Sequence, residues 1–123
     1  MNNSVDYPDD FITTVNDLRE IMRRFVRERN WERFHNPKNL AAAIAIETGE
    51  LMEHFQWLTS DEAADRSRLD LNGVGEELAD VLCYALSLAN ALNIDISQAI
   101  RRKMIKNRIK YPAPDSPAEE QSD

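Results

Sequence analysis

Between Asp9 and Tyr111 the chain carries a single proline, Pro37, and three glycines, Gly49, Gly73 and Gly75. A β-sandwich or barrel reverses direction every ~8–12 residues and relies on Gly, Pro and Asn to do so. With so few chain breakers an all-β fold is nearly excluded.

Apolar residues recur instead at helical spacing. Phe11, Val15, Leu18, Met22 and Phe25 follow steps of four and three, which predicts a helix over about 9–29. Asn36 followed by Pro37 reads as an N-cap with proline in the first helical position, opening a second helix to about Leu58. Residues 61–72 are polar enough for a loop or one short helix. A third helix is expected over about 73–93, with Leu78, Leu82, Ala85, Ala89 and Leu92 as its core stripe. Asp95 with Gln98 resembles a capping box and starts a fourth, ending near Tyr111. The expected fold is all-α, a four-helix bundle-type protomer. It is bounded by a flexible N-terminus (1–8) and a disordered acidic tail (112–123), with the helical domain over 9–111.

At 123 residues, 42% hydrophobic and 30% charged, the chain has one domain's worth of core-forming material. A net charge of −7 argues against a general nucleic-acid binder, because the phosphate backbone would be repelled. No apolar run approaches the ~18 residues of a membrane span. The first residues lack the basic and apolar regions of a signal peptide, so a cytoplasmic protein is expected. One cysteine, Cys83, rules out a disulfide framework and a Cys-based zinc site, and reads as a core thiol.

The second helix carries an anomaly. Its apolar stripe of Leu40, Ile44, Leu51 and Leu58 is interrupted by Glu47, and Glu50 follows at i+3 on the same side. The third helix repeats the device with Glu77 and Asp80 flanking Leu78, Val81 and Leu82. A lone Glu-x-x-Glu is ordinarily a solvated face. Two such pairs at apolar stripes of neighbouring antiparallel helices would converge, repel and lose hydration. A divalent cation removes that conflict, and Mg²⁺ favours such hard oxygen ligands. Glu53, Glu62 and Glu76 sit one step off and read as solvated. A di-iron bundle competes, but it needs two Glu-x-x-His motifs. The chain has one such spacing, Glu32 to His35, and His54 follows Glu50 by four.

Trp57 and Tyr84 fall on the carboxylate-bearing faces, and Trp31 and His35 lie in the link before Pro37. Each alone is most simply a core or interface residue, yet together they would suit stacking on a nucleobase. The last helix holds Arg101, Arg102, Lys103, Lys106, Arg108 and Lys110 without an acid, a face for polyphosphate or a solvated helix end. No glycine-rich phosphate loop is present.

Four segments carry a family resemblance: Asn30-Trp-Glu-Arg-Phe-His35-Asn-Pro-Lys-Asn39-Leu40, Glu47-Thr-Gly-Glu50 through Trp57, Glu76-Glu77-Leu-Ala-Asp80 through Tyr84, and Lys103-Met-Ile-Lys-Asn107-Arg108-Ile-Lys-Tyr111-Pro112. In this order they resemble the MazG-like all-α nucleoside triphosphate pyrophosphohydrolases, particularly the dCTP pyrophosphatase branch. The resemblance implies Mg²⁺-dependent cleavage of a triphosphate to monophosphate and pyrophosphate, in a homodimer or homotetramer. It implies Glu47, Glu50, Glu77 and Asp80 as catalytic metal ligands. Trp31, His35, Asn39, Trp57 and Tyr84 would line the nucleotide pocket, and Lys103, Asn107, Arg108 and Tyr111 would lie near the phosphates or sugar. Met22 departs from the histidine that the eukaryotic dCTP-specific proteins have there. The expected substrate is dCTP or a modified dCTP, in nucleotide-pool house-cleaning. The alternative from another class is a non-catalytic helical homo-oligomer whose acids pair with the last helix's bases.

Overall fold

Each helix begins where a side-chain oxygen takes up a free backbone N–H. In the computed structural model, which describes residues 7–115, α1 runs Val15–Glu28, α2 Pro37–Glu53, α3 Ser60–Ala63, α4 Leu71–Leu92 and α5 Ile96–Lys110. A 3₁₀ turn, Arg66–Arg68, lies between α3 and α4. No strand occurs among the described residues. Residues 1–6 of the expected N-terminal segment and 116–123 of the expected tail lie outside them. Among the described residues no single helix is long and apolar enough to cross a membrane.

The caps explain the boundaries. Thr14 Oγ1 accepts from Asp17 N–H at 3.0 Å, and Thr14 N–H donates back to the Asp17 carboxylate at 2.9 Å. This capping box starts α1 later than the apolar stripe suggested, and Asp9–Ile12 form a separate turn ahead of it. Asn36 and Pro37 open α2 as expected, with Asn36 Oδ1 accepting from Asn39 N–H at 2.9 Å. The end of α2 differs. His54 and Phe55 N–H groups donate to Leu51 and Met52, three residues back, so the chain tightens into a turn. Trp57 therefore lies beyond the helix rather than two turns along its face. Thr59 and Glu62 form a second capping box for the short α3. Asp70 caps α4, and Asp95 caps α5 by accepting from Gln98 N–H at 2.9 Å.

The described chain separates into a unit ending at Asn93 and a second from Ile94. In the first, α4 packs against α2 and α1. Leu40 of α2 is 1% exposed, and Ala89 of α4 and Val26 of α1 are also buried. Arg19 and Asn90 tie α1 to α4 reciprocally: Arg19 Nε donates to Asn90 Oδ1 at 2.8 Å, and Asn90 Nδ2 to the Arg19 carbonyl at 3.1 Å.

The apolar stripes are only partly used. On α1 it is Arg19, Met22 and Val26 that turn inward, while Val15, Leu18, Ile21 and Phe25 stay exposed and Phe11 is 99% exposed. On α4, Ala89 is buried but Leu78, Leu82 and Leu92 of the expected core stripe are about half exposed. The helices are amphipathic on more sides than one unit covers.

At the end of α1 the chain reverses through Asn30, which takes a left-handed φ of 56°. Trp31 N–H reaches back to Val26 O at 3.0 Å, and Asn30 N–H to Arg27 O at 3.1 Å, a Schellman cap. The reversal sets the Trp31 ring edge-on to Phe25, 5.6 Å away.

Candidate functional site

Three of the four acids singled out at the apolar stripes meet. Glu47 on α2 and Glu77 and Asp80 on α4 each present a carboxylate oxygen, and these atoms lie within 4.8 Å of one another. Glu50, one helical turn from Glu47, is exposed beside them and interacts with both Glu47 and Glu77. One oxygen of Glu47 and one of Glu77 are buried with no hydrogen-bond partner. A buried carboxylate without a partner is costly.

The protonation equilibria register the crowding. Burial pushes the Glu47 carboxyl above its ordinary range, followed by hydrogen bonding with and repulsion from Glu50, then the charges of Asp80 and Glu77. Burial likewise raises Glu77, then Glu50 and Asp80, while His54 acts in the opposite direction. Cys83, three residues past Asp80, is half-buried, and burial raises its thiol further from the reactive thiolate form.

The residues around α4's first turn allow no slack. A Cβ on Gly73 would come 2.5 Å from Asp70 Oδ2 and 2.7 Å from His54 Cε1. Glycine there lets the turn after α2 lie directly on the start of α4, one turn ahead of Glu77. The contact between His54 and Gly73 has only the Asp-x-x-Gly cap spacing as its signal in the sequence.

A chain of rings leads away from the acids. Trp31 and His35 have centroids 6.1 Å apart, and His35 and Tyr84 6.3 Å. Trp31, Phe34, His35, Asn39, Leu40 and Tyr84 border a cavity of about 370 Å³. Asn39 Nδ2 donates to the Phe34 carbonyl at 3.2 Å and fixes the link over α2. Four of the five expected pocket residues are thus gathered, and Phe34 joins them unforeseen. Trp57, 86% exposed, does not border this cavity. Lys103, Asn107, Arg108 and Tyr111 belong to the second unit. Tyr111 closes α5, its N–H donating to Asn107 O at 2.7 Å, and Lys110 Nζ lies 5.3 Å from the Tyr111 ring centre.

Residues 42–122 match the MazG-like family. The chain belongs to that family. Human dCTP pyrophosphatase 1 is 42% identical over 102 residues, spanning 81% of this chain and 60% of that protein. The dATP/dGTP diphosphohydrolase of cyanophage S-2L is 33% identical over 97 residues, spanning 79% of this chain and 76% of that one. A crystal structure of a pyrophosphatase from Archaeoglobus fulgidus superposes with a TM-score of 0.75 at 40% identity, covering 89% of this chain and 99% of its own. The chain thus spans less than two thirds of the human relative's length. In this MazG-like chain three of the acids marked by sequence spacing, Glu47, Glu77 and Asp80, come together, and no histidine belongs to that cluster among the described residues. That composition departs from a di-iron centre.

Proposed function

We propose that this MazG-like chain hydrolyses (deoxy)nucleoside triphosphates at the α–β phosphate bond, releasing monophosphate and pyrophosphate, with dCTP or a modified dCTP preferred. The observation that carries this reading is the convergence of Glu47, Glu77 and Asp80, beside Glu50, with two buried carboxylate oxygens left unpartnered. The names of the human and phage relatives support a nucleotide substrate.

An all-carboxylate donor set without nitrogen or sulfur suits a hard divalent cation, Mg²⁺, with Glu47, Glu77 and Asp80 as its holders and Glu50 as the fourth acid. When bound, such an ion offsets the carboxylate charge and acts as a Lewis acid toward phosphoryl oxygens. Glu50, on the exposed side, accepts the proton of the water that attacks, and the P–O bond to the pyrophosphate group breaks. Trp31, His35, Asn39 and Tyr84 hold the nucleoside, and Trp57 adds a stacking face. Lys103, Asn107, Arg108 and Tyr111 meet the phosphates or sugar.

We further read the chain, with 9–111 as its working domain, as a cytoplasmic homodimer or homotetramer. The uncovered Ile21 and Phe25 of α1 and Leu78 and Leu82 of α4 support assembly with further copies. Incubation with dCTP and Mg²⁺, with the products resolved by chromatography, tests the reaction. The expected products are dCMP and pyrophosphate. Appearance of dCDP and orthophosphate would overturn the assignment.

A further inference from the structure

A second cavity, of about 320 Å³, lies on the other side of His35, between α1, the 30–36 link and α4. Met22 and Val26 are the apolar part of its α1 wall beside Arg23 and Arg27, Glu32 and His35 come from the link, and Ser87 and Asn90 from α4. Two of these polar groups are unspent. Ser87 is 6% exposed, and neither its Oγ nor the buried Nδ1 of His35 has a hydrogen-bond partner. A serine inside a helix ordinarily satisfies its hydroxyl on the carbonyl four residues back. Thr48 does this on α2, donating to Ile44 O at 2.7 Å. Ser87 does not. Asn90, by contrast, is engaged with Arg19 through both its amide oxygen and its amide nitrogen.

The cavity's place along α4 supplies the ligand class. Asp80, Tyr84 and Ser87 follow i, i+4, i+7 and share one face. Seven residues of helix put about 10 Å of axial rise between Asp80, in the acidic cluster, and Ser87. That span is comparable with the reach from a nucleotide's first phosphates, across the sugar, to the far edge of its base. Tyr84 lies between Asp80 and Ser87 on that face, its ring centre 6.3 Å from that of His35.

We propose that Ser87 is a specificity-determining residue: its buried hydroxyl, together with His35 Nδ1, reads the hydrogen-bonding edge of the nucleobase in the cavity between α1 and α4. The inference rests on the triphosphate-hydrolase reading for its ligand. Both groups can donate or accept, and a base edge offers the same mixture. His35 borders both cavities, so a base held beside Trp31 and Tyr84 would turn its edge past His35 toward Ser87, with Met22 and Val26 on the apolar side. An apolar base would leave both groups as they are now, buried and unsatisfied, which disfavours it.

The test pairs a side-chain change with a base change. Ser87→Ala is compared with the parent for binding of non-hydrolysable α,β-imido-dCTP by calorimetry, and for kcat and KM with dCTP. The same panel is run with the triphosphate of 2,4-difluorotoluene deoxyriboside, a pyrimidine-shaped base without a hydrogen-bonding edge. The expected result is binding weakened, and KM raised, by about 5- to 150-fold for the cytosine compounds, with kcat nearly kept and the difluorotoluene compounds unaffected. Thermal stability should hold or rise, because a buried unpaired hydroxyl is removed. Equal losses on both bases would make Ser87 structural and overturn the proposal, as would no loss on either. A parent that binds α,β-imido-dCTP in a Ser87-dependent way yet cleaves no dCTP would defeat the hydrolase reading and leave the base-reading role standing.

Discussion

Glu47 and Glu77 reach across from facing helices to place carboxylate oxygens within 4.8 Å of each other, and each buries its other interest in solvent: one oxygen without a partner. Such a pair is tolerable only when a proton or a cation stands between its members.

Glu47→Gln removes one charge from the cluster while preserving shape. Mg²⁺-dependent turnover should fall by at least about 100-fold, and the metal-free protein should melt no lower than the parent. Steady-state kinetics and a melting curve in EDTA check both halves. Parent-like turnover with loss of assembly would instead favour a salt-bridge role for this acid.

The raised carboxyls give the metal-free protein an unusual pH response. Glu47 and Glu77 sit above the ordinary value of 4.5, so the folded state holds their protons more tightly than the unfolded chain does. Their contribution to stability is fully present below 4.5 and is lost as pH rises through the raised values. Melting temperature in EDTA should therefore decline over that window, and excess Mg²⁺ should abolish the decline by binding the ionised form. A series of melts across pH, with and without Mg²⁺, reads the sign directly.

Glu50 should separate from Glu47 in kinetics. As the proton acceptor beside the cluster, Glu50→Gln should lower kcat by about 10²- to 10⁴-fold while Mg²⁺ affinity changes less than in Glu47→Gln. Equal losses of affinity in the two variants would make Glu50 a ligand first.

The two tryptophans should differ in how they act. Trp31 is fixed against Phe25 and faces His35, whereas Trp57 is exposed past the end of α2. Loss of a stacking ring is worth about 1–3 kcal/mol per base, so either Ala variant should raise KM for dCTP by roughly 5- to 150-fold with metal affinity kept. Trp31→Ala should also lower the melting temperature, and Trp57→Ala in a dissociated protomer should not. An unchanged KM would take that ring out of the pocket.

The helices, their caps and the acids were largely legible in the sequence. Asn36-Pro37 and Asp95 marked helix starts by local chemistry, and Glu47, Glu50, Glu77 and Asp80 stood out because each pair disturbs an apolar stripe. One placement failed and one residue stayed hidden, each for a physical reason. Trp57 looked helical because its spacing from Glu50 is helical, but hydrogen bonds to carbonyls three residues back end α2 at Glu53. Ser87 was invisible because serine in a helix is unremarkable until its hydroxyl proves buried and unpartnered. Nor does apolar spacing say which of two apolar faces one unit will cover: Val26 is buried while Phe25 beside it is 40% exposed.

The cap at the start of α4 also bears on how the molecule ages. Asn72-Gly73 is the chain's sole Asn-Gly step, the dipeptide most prone to deamidation because glycine hardly obstructs attack by its amide nitrogen on the asparagine side chain. Here that nitrogen donates to Asp70 Oδ1 at 3.1 Å, inside a helical turn held down by His54. The cyclisation can proceed only when the turn opens. Chemical lifetime at Asn72 is therefore set by fraying of one helical turn, and Asp70 acts as its preservative.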